Sequence, residues 1–261
     1  MHQFDHDLNL KEQNKYRLQA EISDSWSHIG VVNGGFQLAL LYSAMQRYAR
    51  KPKGLIMTGN YINRCSPGSI DVRVDPISSS RNYDRMEARL FQGGAEKLRA
   101  FGTFAELGGP PEENCSIPPG EQPAPIDRCV RVNSTTGTRI FENMDILLDP
   151  SCAGWISGEL DTEAFQKGWI RFSEKRIFDI PSVIMASDSF PPSIFAISGS
   201  KRIVPTLEFT IQVAEVPPVD RLMCRFHTRY LTGEMIIEEG ELRTPDGSLV
   251  AISHQTALFR A

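Results

Sequence analysis

The sequence predicts an α+β protein made of two similar halves, each combining antiparallel strands with one buried helix. A proline-rich segment at residues 108–127 holds six prolines among glycines and acidic residues, a composition that disfavours both helices and central strands. On either side of it, one long apolar stretch suits a buried helix, and several stretches alternate apolar with polar residues as half-buried strands do. We therefore expect an N-terminal domain at 1–108, a linker at 109–127 and a C-terminal domain at 128–261.

The first half is expected to contain a strand, a long helix and then several strands. Residues 33–50, NGGFQLALLYSAMQRYAR, carry apolar side chains at helical spacing, and the helix should begin at Gly34 and Gly35. The later segments SIDVRVDPI, RMEARLFQ and LRAFGTFAEL alternate with a period of two, which predicts antiparallel strands. Before the helix the chain is polar, and His2 and His6 are expected to lie in a mobile terminus.

The second half repeats this order. Strands are predicted around RIFENMDIL and WIRFSEK, an apolar helical stretch at FDIPSVIMASDSFPPSIFAI, and further strands at TLEFTIQV, RLMCRFHTRY, MIIEEGELR and SLVAISHQTALF. Leu242 lies 152 residues after Leu90, and Leu249 lies 151 residues after Leu98, so that one amphipathic hairpin can be aligned on another. The second offset matches Gln255 with Phe104, which predicts that the first half lacks this polar residue.

Composition and charge exclude several classes of protein. With 41% hydrophobic and 23% charged residues and no apolar run of membrane-spanning length, the chain is expected to be a globular protein without a membrane partner. The first residues lack the pattern of a secretory signal, which predicts a cytoplasmic location. A net charge of −4 with scattered arginines argues against nucleic acid as a partner.

Metal and cofactor chemistry finds no support in the sequence. The cysteines are odd in number, widely spaced and free of any C-x-x-C pair: Cys65, Cys115, Cys129, Cys152 and Cys224. His28, His227 and His254 have no acidic or histidine neighbour at ligand spacing. We therefore expect neither a disulfide framework nor a metal site, and no cofactor is predicted.

Several local strings are informative through their order and spacing. They are W-x6-NGGF from Trp26 with its helix, the strand ending in AFGTFAEL, Asp188 in MASDSFPPSIF, Thr206 in VPTLEFTIQV and Gln255 in SHQTALFR. Together they resemble the double-hotdog acyl-CoA thioesterases of the thioesterase II group. The resemblance implies a tandem hotdog, with two curled antiparallel sheets that each wrap a central helix and join. It also implies acyl-CoA as the substrate, with a homodimer of such chains as an optional assembly.

The resemblance places the catalytic carboxylate, hydroxyl and amide on Asp188, Thr206 and Gln255. Thioester hydrolysis needs a positioned water, a group that takes its proton and donors for the developing oxyanion; the thiolate is already a good leaving group. Backbone amides at a helix start could supply those donors, which makes Asn33, Gly34 and Gly35 candidate substrate-binding residues. The segment around Asp188 is expected to be the corresponding helix entry in the second half.

Structural roles are an alternative for each of these residues. Asp188 could cap a helix or form a turn, Thr206 could simply begin a strand, and Gln255 could face outward. Alternation places His254 on the opposite face from Gln255, so His254 is not expected to act as a base. The coenzyme A phosphates would need cations at the mouth of the site, for which the loop residues are Arg81, Arg85, Lys201 and Arg202.

Two other functions stay open at this point. A hotdog hydratase or dehydratase would need an Asp and His pair at short spacing, and Asp24 with His28 lacks the accompanying turn and histidine strand. A non-catalytic acyl or aromatic ligand-binding protein could keep the fold without turnover. The absence of a G-x-S-x-G sequence disfavours a serine hydrolase with a nucleophile elbow.

Overall fold

The computed structural model describes residues 1–51, 53–106, 120–133 and 138–260. The helices are α1 (Gln3–Asp7), α2 (Gly34–Gln46), α3 (Ile140–Asn143), α4 (Ile180–Ala186) and α5 (Phe195–Ser198). The strands of the first half are β1 (Lys11–Asn14), β2 (Arg17–Ile22), β3 (Ser27–His28), β4 (Val31–Val32), β5 (Lys53–Tyr61), β6 (Gly68–Ser79), β7 (Tyr83–Gln92) and β8 (Ala95–Ala105). Those of the second half are β9 (Val130–Arg131), β10 (Met144–Leu148), β11 (Phe165–Phe172), β12 (Thr206–Val213), β13 (Leu222–Thr232), β14 (Met235–Arg243) and β15 (Leu249–Leu258).

One antiparallel sheet of 13 strands runs through both halves. Its order is β1-β2-β6-β7-β8-β5-β12-β15-β14-β13-β11-β10-β9, and β3 with β4 forms a separate small hairpin. Read outward from the junction of β5 with β12, the first half follows with β8, β7, β6 and β2, and the second half with β15, β14, β13 and β11. The two halves thus repeat one strand order, and their strands are continuous across the junction.

The register of the hairpins corrects the alignment expected from the sequence. Met86 pairs with Gly102 in the first half, and Glu238 pairs with Gln255 at the corresponding rung of the second. Gly102, not Phe104, is therefore the counterpart of Gln255. The error arose because the second hairpin has one more residue than the first between the equivalent paired positions. Matching apolar residues in the sequence did not reveal this extra residue.

The helix α2 forms the centre of the core. Nearly all of its residues are buried, and it packs against β5, β6, β7, β8 and the second-half helix α4. Because it is covered on all sides, its sequence is apolar all round and not confined to one stripe. The predicted helix at 33–50 is confirmed, although it ends earlier, at Gln46.

The helix α4 begins well before the two prolines of the second apolar stretch. Asp179 caps its first turn by accepting a hydrogen bond from the Ser182 amide, and the Ser182 hydroxyl contacts the Asp179 amide in return. The helix ends at Ala186, so that Asp188 follows its last turn. The expectation that Asp188 lies at the entry to the second helix is therefore wrong.

Most predicted strands are present, with one exception. The segment RIFENMDIL was expected to be one strand, but Ile140–Asn143 forms α3 and the strand starts at Met144. The side-chain amide of Asn143 donates to the Ser25 carbonyl oxygen at 3.0 Å, so a contact with the first half favours the helical turn. Residues 109–119 of the predicted linker lie outside the described residues, and its boundaries stay predictions.

The N-terminal helix α1 packs into the core, contrary to the expected mobile terminus. Phe4 is fully buried, with its ring centroid 5.5 Å from that of Trp26, 6.0 Å from Phe36 and 5.4 Å from Phe172. The carboxylate of Asp7 accepts a hydrogen bond from the Trp26 indole at 2.7 Å. Because Phe172 belongs to the second half, this aromatic cluster links the two halves.

None of the helices in the described ranges is long and apolar enough to span a membrane.

Phe4→Ala should destabilise the protein by about 3–5 kcal/mol, because it leaves a cavity between three aromatic rings. Urea unfolding followed by fluorescence would measure the change. Ile77→Ala is the control, since this side chain is 53% exposed and its removal should cost less than about 0.5 kcal/mol. Equal costs for the two variants would contradict a structural role for α1.

Candidate active site

The start of α2 provides an amide that points away from its own helix. Asn33 caps the helix, and its side-chain oxygen accepts a hydrogen bond from the Phe36 amide at 2.9 Å. The first amides of a helix have no partner within it, and they lie at the positive end of the helix dipole. The Gly35 amide is therefore available to a negatively charged group.

Asp188 supplies that group from the second half. Its Oδ2 accepts hydrogen bonds from the Gly35 amide at 2.7 Å and from the Asn33 side-chain amide at 3.2 Å. The same Asn33 nitrogen donates to the Asp188 carbonyl oxygen at 2.8 Å, so side chain and backbone are both held. The Asp188 amide donates to Met185 in the last turn of α4. Asp188 thus lies after the second helix and against the start of the first.

The two glycines are required by this close approach. A Cβ added to Gly34 would lie 2.9 Å from Asp188 Oδ2, and one added to Gly35 would lie 2.9 Å from the Asp188 Cβ and from the Met185 carbonyl oxygen. Carbon atoms do not approach this closely without displacement. Any larger residue would therefore separate the carboxylate from the helix terminus.

Gln255 and Thr206 complete the network on the other side of the carboxylate. The Gln255 side-chain nitrogen donates to Asp188 Oδ1 at 3.0 Å and to the Thr206 hydroxyl oxygen at 2.5 Å. Both residues lie on neighbouring strands, β15 and β12, and both are partly buried. The three residues predicted from separate segments are thus brought together, while His254 is exposed on the opposite face.

Burial controls the protonation of this site. Desolvation raises the pKa of Asp188 to about 6, against the opposing effect of hydrogen bonds from Gly35, Gln255, Asn33 and Gly34. A carboxyl with such a pKa is ionised at neutral pH yet is a better proton acceptor than an ordinary aspartate. The site therefore combines the charge and the basicity that general-base chemistry needs.

Tyr61 is a neighbour that the sequence did not indicate. Its hydroxyl donates to the Gly34 carbonyl oxygen at 2.8 Å, and burial together with the charge of Asp188 raises the pKa of Tyr61 well above its usual range. The phenol thus stays neutral and supports the start of α2. No sequence signal marked it, because its role depends on the fold.

Glu238 is a second buried carboxyl near the site. It is the register partner of Gln255, and its Oε2 accepts a hydrogen bond from the Ser193 amide at 2.6 Å. Burial raises the pKa of Glu238 to about 7, and the charge of Asp188 adds to the effect. The alternation of MIIEEGELR, which points one of two adjacent glutamates inward, was the signal that could have found it.

The cations predicted to lie in loops do not join this network, and Arg85 lies in the strand β7 and not in a loop. All four are exposed, and Arg202 stacks on the Phe259 ring at 4.6 Å: Arg81, Arg85, Lys201 and Arg202. Their role toward coenzyme A phosphates stays a prediction. Within the described ranges, no group of three His, Cys, Asp or Glu side chains could hold a metal ion.

The chain is similar to known proteins over most of its length. Two family models match the chain: the acyl-CoA thioesterase N-terminal domain over residues 22–105 and the acyl-CoA thioesterase C-terminal domain over residues 118–259. The chain therefore belongs to the acyl-CoA thioesterase family. A search of curated protein sequences gave no match.

Solved structures show that the fold is a hotdog fold. A Thermobifida fusca protein, provisionally assigned as a thioesterase II, superposes with a TM-score of 0.91 at 20% identity, covering 100% of this chain and 98% of that one. A hot dog fold protein of unknown function from Alicyclobacillus acidocaldarius gives 0.88 at 17% identity, with coverage of 100% and 99%. An acyl-CoA thioesterase II from Mycobacterium marinum gives 0.77 at 15% identity, with 98% of each chain covered.

Asp188→Asn should stabilise the protein at neutral pH while leaving it unaffected in acid. The folded state raises the pKa of Asp188 from 3.8 to about 6, so it binds the proton more tightly than the unfolded chain. The stabilisation that this carboxyl gives the wild type is present below pH 4 and is lost as the pH rises through about 6. The total loss in the free energy of unfolding is up to about 3 kcal/mol.

Urea unfolding of the wild type and the variant at pH 4 and pH 7 measures this difference. Glu215→Gln, which changes an exposed carboxyl, serves as the control and should follow the wild type. A variant that loses stability at pH 7 relative to the wild type would refute a raised pKa at Asp188.

Proposed function

We propose that this protein hydrolyses acyl-CoA thioesters by direct attack of water. The observation that carries the proposal is the Asp188 carboxylate, held by the Gly35 amide on one side and the Gln255 amide on the other. Membership of the acyl-CoA thioesterase family supports acyl-CoA as the proposed substrate class. Each half is proposed to be one hotdog, its part of the sheet curling around α2 or α4, with the linker at 109–127 between them.

In the proposed reaction, Asp188 is the general base. It takes a proton from water as the water oxygen attacks the thioester carbonyl carbon; the tetrahedral intermediate then collapses, and the C–S bond breaks with its electron pair on the coenzyme A thiolate. Thr206 and Gln255 orient Asp188 and the attacking water through the hydroxyl and the amide. Because thiolate leaves readily, a covalent acyl-enzyme is not required.

The start of α2 has two proposed roles. The Gly35 amide already donates to Asp188, so its first role is to hold the carboxylate. Asn33, Gly34 and Gly35 are also proposed to contact the substrate, since the positive end of the helix dipole favours the negative charge that develops on the carbonyl oxygen. A cytoplasmic location and a homodimer stay predictions.

The rival hydratase or dehydratase function gains no support from the contacts of its candidate residues. A ring nitrogen of His28 lies 3.0 Å from the Thr138 hydroxyl, and the Asp24 carboxylate accepts a hydrogen bond from Ser27. Neither side chain contacts Asp188, Thr206 or Gln255 in the described part of the chain. A non-catalytic binding protein is the alternative that experiment must separate from an enzyme.

Asp188→Asn should reduce thioester hydrolysis by about 10²- to 10⁴-fold, because it removes the group that takes the proton from water. Thiol release from short, medium, long and aromatic acyl-CoAs would be measured for both proteins under identical conditions. His254→Gln is the matched control: it lies next to Gln255 but on the exposed face, and its rate should equal that of the wild type.

Two outcomes would overturn parts of the proposal. Unimpaired hydrolysis by Asp188→Asn would reject Asp188 as the base. Saturable acyl-CoA binding without thiol release by the wild type, measured by calorimetry, would identify a binding protein and leave the three residues with structural roles.

Thr206→Val and Gln255→Leu should each lower kcat by about tenfold or more, and the double variant should lose less than the product of the two effects. The reason is that both side chains act through one hydrogen-bonded network, and removal of one member already disables the other. A full double-mutant cycle in kcat measures this. Independent, multiplicative losses would contradict a shared role.

A further inference from the structure

The segment that carries Asp188 is held by polar side chains from four neighbouring strands. Gln255 on β15 contacts Asp188 itself. Three other strands contact the end of the segment near Ser193, with Glu238 on β14, Thr228 on β13 and Gln166 on β11. The segment therefore lies across the inner face of the sheet, fixed at both ends.

Glu238 makes the shortest of these contacts. Its Oε2 accepts hydrogen bonds from both the amide of Ser193, at 2.6 Å, and the Ser193 hydroxyl, at 2.5 Å. The Ser193 and Thr228 hydroxyl oxygens lie 2.8 Å apart and share a further hydrogen bond. Glu238 is 6% exposed and Ser193 is fully buried, so this is an interior network.

The fold itself does not require a polar residue at this position. Thr228, Glu238 and Gln255 form one row across three strands, and the equivalent row of the first half is Pro76, Met86 and Gly102. Methionine thus occupies the place of the glutamate. Since burying a carboxyl is unfavourable, a function specific to the second half explains its presence better than packing does.

We propose that Glu238 is a positioning residue for Asp188. By holding Ser193, it fixes the short segment that places the Asp188 carboxylate against the start of α2. The inference rests on the proposed function, because the carboxylate that Glu238 helps to place is the proposed base. Glu238 itself does not contact the reacting atoms.

The surroundings of Glu238 suit this role. Burial raises its pKa to about 7, Asp188 adds to the effect through its charge, and the Ser193 hydrogen bonds oppose it. Asp188 is the charged group acting on it within the described residues, and the other groups that face it are the Ser193 and Thr228 hydroxyls and the Gln255 amide. The Ser193 amide and hydroxyl need only an oxygen acceptor at this position, which the side-chain carbonyl oxygen of glutamine also provides.

Three variants test the proposal. Glu238→Met introduces the residue found at the equivalent place in the first half, and so should fold while losing the contact with Ser193. Glu238→Gln keeps an oxygen acceptor for the Ser193 amide and hydroxyl and removes the ionisable group. Glu239→Gln is the control, because Glu239 is exposed and pairs with Arg229 at the surface.

The experiment measures kcat/KM as a function of pH, together with hydrogen exchange of the backbone amides of Asp188, Ser189, Phe190 and Ser193. Glu238→Met should lower kcat/KM by about 10²-fold through misplacement of Asp188. The acid limb of the profile, where kcat/KM falls as Asp188 becomes protonated, should also move below pH 6. The reason is that a loosened segment lets water reach the Asp188 carboxylate. Glu238→Gln should recover most of the rate and keep the acid limb, and Glu239→Gln should match the wild type.

Opposite results overturn the inference. If Glu238→Met loses protection at Ser193 but keeps the wild-type kcat/KM and acid limb, Glu238 has a structural role only. If it keeps both protection and rate, the contact with Ser193 is not needed to place the segment.

Failure of the proposed function gives a different result. A wild type that releases no thiol from any acyl-CoA rejects hydrolysis whatever Glu238 does. Infrared titration of Asp188 in Glu238→Met would then decide about positioning: a lowered pKa supports it, and an unchanged pKa overturns it.

Discussion

The contact between the Asp188 carboxylate and the start of α2 is the interaction on which the rest of the site depends. It joins a residue that follows α4 in the second half to the first amides of a helix in the first half. The glycines at 34 and 35 leave room for it, and the helix dipole offsets part of the cost of burying the charge. A single contact thus places the proposed base, tunes its pKa and ties the two halves together.

The repeated architecture creates two equivalent positions in the sheet, but only the position in the second half carries polar side chains. In the second half the inner row of the sheet carries Glu238 and Gln255, whereas the first half has Met86 and Gly102 there. In the first half, the apolar residues of this row allow α2 and its strands to pack tightly. In the second half, the polar residues of the row form hydrogen bonds at the expense of apolar packing. One half therefore contributes mainly a helix terminus, and the other contributes the side chains.

Prediction from sequence succeeded where a signal was local. The strands TLEFTIQV and MIIEEGELR have the observed bounds, and the long helix begins at Gly34 as expected. Prediction failed where a distant contact decided the outcome. Ile140–Asn143 became a helical turn beside the first half, and the N-terminal residues became ordered through Phe4 and the aromatic cluster, neither of which periodicity can reveal.

The sequence by itself determined the two-half organisation, most strands and the identity of three polar residues, because alternation and helical spacing are properties of neighbouring positions and the resemblance rests on short strings. Only the tertiary structure decided that Asp188 lies after α4 and reaches across to Gly35, that Gly102 is the counterpart of Gln255, and that Glu238 is buried beside the site. These facts depend on strand register and on the packing of one half against the other, which bring residues more than 150 positions apart into hydrogen-bonding distance.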